Sequence, residues 1–145
     1  MLEKILEALN GFQVIVVCGH NKELYARLNA KASGAFKVFG LVDSMPELMA
    51  VADCMVTKPG GLSIAEALVS RLPLIFFNAI PGQETNNIKV LGAYGIGTGT
   101  KNIEEIVAQL KTLQASKDAL LTAVKKTQEL ARPHAVSDII QIIND

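Results

Sequence analysis

Apolar positions along this chain follow two periods that alternate about every twenty residues. Leu2, Ile5, Leu6 and Leu9 recur at helical spacing and predict a short opening helix, ended by Asn10-Gly11. Gln13-Val14-Ile15-Val16-Val17-Cys18 is a continuous β-branched run, the pattern of a parallel strand buried on both faces. Gly19-His20-Asn21-Lys22 turns the chain into a helix bearing Leu24, Tyr25 and Leu28, and Phe36 to Gly40 reads as a second strand. After the loop Leu41 to Pro46, with Pro46 suited to a first helical position, Leu48, Met49 and Val51 mark a short helix. Asp53 to Thr57 and Leu74 to Phe77 are the third and fourth strands.

Between those two strands a helix is predicted from Ser63 to about Arg71, broken by Leu72-Pro73. Another runs from about Glu84 to Ala93 and leads into Tyr94-Gly95-Ile96-Gly97-Thr98-Gly99. Asn102 caps a helix with Ile103, Ile106, Val107 and Leu110 inward. Leu120, Leu121, Val124 and Leu130 mark the next, its Lys and Glu residues forming a solvated face. After Arg132-Pro133-His134, Val136, Ile139, Ile140 and Ile143 mark the last. Strand and helix alternating in this way predicts an α/β fold: a Rossmann-like parallel sheet with helices on both faces. Ligands of such sheets bind outside the carboxyl ends of the strands. The loops there are 19–22, 41–45, 58–63 and 78–83.

Composition narrows the class. At 145 residues, half of them hydrophobic and 19% charged, the chain is expected to be one compact domain, 1–145. A formal net charge of zero leaves no electrostatic footprint for nucleic acid. No apolar run approaches the roughly eighteen residues of a membrane span, and Met1-Leu2-Glu3-Lys4 lacks the layout of a signal peptide. Cys18 and Cys54 lie in apolar strand patterns without CxxC spacing, which favours core packing in a reducing compartment over a disulfide or metal pair.

The chemistry concentrates in Val56-Thr57-Lys58-Pro59-Gly60-Gly61-Leu62-Ser63-Ile64-Ala65-Glu66-Ala67-Leu68. Pro59 cannot extend a strand ladder, Gly60 and Gly61 admit close backbone approach, and Ser63 with Glu66 has capping-box spacing. A helix opening on bare N–H groups behind two glycines is an anion site, and the expected anion is the diphosphate of a nucleotide-sugar. The competing reading is an ordinary tight turn with a serine cap. Lys58 reads either as a point charge neutralising phosphate or as a solvated lysine.

Four segments in order resemble a known family: Val17-Cys18-Gly19-His20-Asn21-Lys22, Val42-Asp43-Ser44-Met45-Pro46-Glu47-Leu48-Met49, Thr57 to Leu68, and Pro81-Gly82-Gln83-Glu84. The resemblance is to the carboxyl-terminal half of diacylglycerol glycosyltransferases. These are the monogalactosyldiacylglycerol synthases and processive glucosyl-diacylglycerol synthases, relatives of the GlcNAc transferase that makes lipid II. It implies the carboxyl-terminal half of a GT-B architecture, which holds the UDP-sugar. The amino-terminal half, which holds the lipid acceptor and the general base, is expected to be absent from this chain. The resemblance thus implies no catalytic residue here, no metal and no cofactor, with UDP-glucose or UDP-galactose as substrate and diacylglycerol reached through the other half. It also implies a cytoplasmic enzyme peripheral to the membrane.

Carried over residue by residue, Gly60, Gly61, Leu62 and Ser63 would offer N–H groups to the diphosphate, and Lys58 falls where relatives carry a basic residue. Glu66 would accept from the ribose hydroxyls or, alternatively, cap Ser63. Val42 would read uracil through its backbone, with Met45 nearby or simply in the core. Gln83, Glu84 and Asn87 would meet donor-sugar hydroxyls or form a polar loop and helix cap. Gly19 is a weaker candidate, since a tight turn explains it along with Asn21 and Lys22. No role is assigned to His20. The competing function is a non-catalytic donor-binding subunit of a split GlcNAc transferase, dependent on a membrane partner chain. A sugar-nucleotide epimerase would need catalytic acids that the sequence does not offer.

Overall fold

The computed structural model describes residues 2–80 and 82–144, the Gln83 side chain excepted. Its elements run α1 (Leu2–Ala8), β1 (Val14–Val17), α2 (Lys22–Asn29), β2 (Phe36–Phe39), α3 (Met45–Ala50), β3 (Met55–Thr57) and α4 (Gly61–Val69). They continue β4 (Leu74–Phe77), α5 (Gln83–Ala93), β5 (Gly99–Thr100), α6 (Ile103–Ala115), α7 (Lys117–Leu130) and α8 (Ala135–Asn144). All strand pairings between these elements are parallel: β1 with β2, and β3, β4 and β5 in that order. The fold class expected from the sequence is the one observed.

β4 explains why the domain closes. Its side chains alternate between two cores, as the strand period requires. Leu74 and Phe76 join Met49, Ile64, Ala67, Leu68, Leu72, Leu91 and Ile96 on one face. Ile75 joins Ile5, Ile106 and Leu110 on the other. Helices therefore cover both faces, with α4 packed on α7 and α1 on α6. Asn102 caps α6 as expected, its side chain accepting from Glu104 N–H at 2.8 Å. Ile106, Val107 and Leu110 are buried.

Burial on both faces, expected of the 13–18 run, belongs instead to β4. β1 pairs with β2 alone, and Ile15 stands 41% exposed on the same face as its register partner Lys37. β5 begins at the end of the glycine-rich stretch after α5, to which the sequence pattern assigns no element. Its position depends on missing side chains: a Cβ on Gly97 would collide with the Phe76 ring, and one on Gly99 with Ile88. The last helix forms where the period places it, yet its apolar residues stay outside the core, from 52% exposed at Ile140 to 75% at Ile142 and Ile143. Cys18 and Cys54 are free, half-buried thiols.

α4 starts two residues earlier than the Ser63 capping signal indicated. Its N-cap is Gly60, extended at φ −75° and ψ 139°, and no side chain caps it. A capping box needs the serine at the cap itself; three positions inside the helix, Ser63 does not close one with Glu66. At the other end, Leu72 N–H donates to Ala67 C=O at 2.8 Å and Arg71 N–H to Leu68 C=O at 3.1 Å. This is a Schellman closure with Arg71 at φ 59°, where glycine is the usual occupant.

Candidate functional site

The carboxyl end of β3 runs into Lys58, then buried Pro59, then the glycine turn and α4. Starting a helix leaves four N–H groups without helical partners. Here they belong to Gly60, Gly61, Leu62 and Ser63. Gly60 N–H is already taken, donating to Lys58 C=O at 2.8 Å, so the expectation that it meets an anion is corrected: the turn itself consumes it. Gly61, Leu62 and Ser63 N–H have no hydrogen-bond partner among the described residues. The helix dipole adds roughly half a positive charge at this end.

The fold itself does not require the two glycines. Neither has a positive φ, and a Cβ on either would meet nothing within 4 Å. The space above the turn is open surface, and a side chain there would obstruct only something arriving from outside. Two cavities of about 190 and 180 Å³ lie elsewhere, among residues such as Leu6, Val14 and Phe36 at the amino ends of β1 and β2.

Around the turn, Lys58 is exposed and makes no ion pair among the described residues. Glu66 is exposed and has no hydrogen-bond partner among the described residues, and it closes no capping box with Ser63. Val42 is half-buried after β2, and its N–H and C=O make no hydrogen bond among the described residues. Such a peptide offers one donor and one acceptor side by side. Met45 packs against the core cluster that contains Ile64 of α4. It therefore serves packing.

The polar group on α5 is more occupied than its sequence indicated. Glu84 Oε2 accepts from Ile80 N–H at 2.6 Å and so braces the loop after β4. The Asn87 amide Nδ2 donates to Pro59 C=O at 2.8 Å. The Gln83 side chain lies outside the described residues. Gly19 takes φ 57° and donates its N–H to Gly40 C=O at 3.1 Å, while Asn21 caps α2. Both are accounted for by the turn. The sequence reading missed an apolar rim on these same loops: Leu41, Leu62 and Ile80 are 63%, 83% and 57% exposed. Their one signal was position, as large apolar residues in loops or at a helix start.

Comparison with known proteins gives concordant findings. The family described as glycosyltransferase family 28 C-terminal domain matches residues 2–141. The chain is 34% identical over 134 residues to processive diacylglycerol beta-glucosyltransferases of Bacillus mycoides (strain KBAB4) and Bacillus subtilis (strain 168). Those alignments cover 90% of this chain and 34% and 35% of the relatives, so the chain spans about a third of their length. The crystal structure of the glycotransferase of kitacinnamycin superposes with a TM-score of 0.66 at 17% identity, over 95% of this chain and 37% of that one. At that identity the likeness concerns the fold.

Proposed function

The chain belongs to the glycosyltransferase family 28 C-terminal domain family, and from that premise we propose that it is the donor-binding domain of an inverting hexosyltransferase. The donor is a UDP-hexose, glucose or galactose, and the acceptor is diacylglycerol. One observation carries the reading: three amides without a partner among the described residues, Gly61, Leu62 and Ser63, open a helix at glycines whose missing side chains face free space.

The chemistry follows from that arrangement. A base in an acceptor-binding half deprotonates the acceptor hydroxyl, which attacks the anomeric carbon as UDP departs. Negative charge grows on the diphosphate, where the fixed amides of α4 stabilise it without reorganising. Lys58 adds a mobile charge beside them. Val42 offers its peptide edge to uracil, and Glu66 offers two acceptor oxygens to the ribose diol. This domain thus supplies donor binding and leaving-group stabilisation. No helix among the described residues is long and apolar enough to cross a membrane. We place the enzyme in the cytoplasm, meeting its lipid acceptor at the membrane surface.

Titration calorimetry with UDP tests the reading directly. Saturable binding is expected, at a dissociation constant of about 1 mM or tighter. No heat at millimolar UDP would overturn it.

A further inference from the structure

Asn87 sits in the second turn of α5, half-buried, and its amide reaches across to a carbonyl 28 residues earlier in the chain, that of Pro59. That carbonyl lies four residues before Ser63. It is the acceptor the Ser63 N–H would take if α4 were wound one residue further back. Instead Asn87 holds it, the first α4 bond runs from Ile64 N–H to Gly60 C=O at 3.0 Å, and Ser63 N–H has no partner among the described residues.

Resting on the donor reading above, we propose that Asn87 is a positioning residue. A carbonyl oxygen can accept two hydrogen bonds, so Asn87 acts by direction: its bond holds the Pro59 carbonyl toward α5, fixes where α4 begins, and so keeps the Ser63 N–H available to the diphosphate. The same bond sets the register between the turn after β3 and the helix after β4, whose first turn carries Glu84 braced on Ile80. Asn87 therefore acts on phosphate binding through α4 rather than by touching the sugar. The position calls for a short neutral donor. Aspartate would face a carbonyl with a carboxylate, and an apolar residue would leave the carbonyl of a buried proline free to recruit Ser63.

The test uses Asn87→Leu and the isosteric Asn87→Asp, the latter keeping the measurement available if the former does not fold. Affinities for UDP and UDP-glucose are measured by calorimetry, and amide hydrogen exchange at Gly61 to Ser63 by NMR on the free chain. Both nucleotides are expected to weaken by one common factor, about five- to tenfold for Asn87→Leu and more for Asn87→Asp. Ser63 exchange is expected to slow in Asn87→Leu, as its N–H turns to Pro59. Loss confined to UDP-glucose would overturn the proposal in favour of a direct sugar contact. Unchanged UDP affinity with a lowered melting temperature would reduce Asn87 to a stabilising bond and also overturn it. A wild-type chain that binds neither nucleotide would instead refute the donor reading, and this inference with it.

Discussion

Gly61→Ala separates what the fold needs from what the ligand needs. Gly61 is the first residue of α4, without a positive φ, and a Cβ there meets nothing within 4 Å. Alanine exceeds glycine by about 1 kcal/mol in a helix interior. At this first position we expect roughly half of that as added stability. For a domain of this size, that is a rise of about 1–2 °C in melting temperature. Binding should move the other way. The added methyl would project into the open space over the turn, where a diphosphate laid across Gly60 and Gly61 would meet it and be held off the Gly61 N–H. Losing one charge-assisted bond costs about 1.5–3 kcal/mol, or about ten- to a hundredfold in UDP affinity. Scanning calorimetry and UDP titration on the same preparation read both quantities. A variant that binds UDP like the wild type would refute the argument that the glycine exists for the ligand. One that loses stability would show that the chain itself requires the glycine.

Three further outcomes follow from individual residues. Glu66→Ala, at an exposed side chain with no partner among the described residues, should leave the melting temperature unchanged; UDP affinity should fall about tenfold while pyrophosphate affinity holds, read by parallel titrations. Arg71→Gly should stabilise the chain by about 0.5–1 kcal/mol in urea unfolding, because φ 59° strains any residue with a side chain at the Schellman closure. Burial pushes the Cys54 thiol from its ordinary 9.0 up to about 12, a backbone hydrogen bond at Met55 opposing and the Asp53 charge adding. The folded chain therefore keeps the proton while the unfolded chain releases it. Stability present below pH 9.0 is lost as pH rises toward 12, so Cys54→Val should flatten the alkaline limb of melting temperature against pH. At pH 8 a thiol reagent should modify Cys54 far more slowly than Cys18.

Where sequence and structure part, the partings share a cause. The 13–18 run predicts a strand buried on both faces, yet continuous β-branched residues describe what a strand tolerates, not what packs on it. Ser63 looked like a cap because serine followed by Glu66 is a local signal. Gly60 won that position because its extended backbone leads directly from Pro59 into the helix, and the turn satisfied its N–H internally. β5 was hidden because Gly97 and Gly99 have no strand propensity; they are there to make room for Phe76 and Ile88. Glu84 and Asn87 read either as sugar contacts or as a polar loop and helix cap, and the pattern carried no sign of the partners they have in the structure, Ile80 N–H and Pro59 C=O.

By itself, the order of residues determined the alternation of strands and helices, the parallel α/β class, the turn after the third strand, and the family the four segments resemble. These are properties of short stretches, since period, turn residues and strand-to-helix junctions are written within a few neighbouring positions. Only the tertiary structure decided which three of four amides stay free, that Glu66 has no capping partner, and that Asn87 reaches Pro59. Those outcomes depend on whether a distant group arrives to take a given donor or acceptor, and local pattern carries no record of that competition.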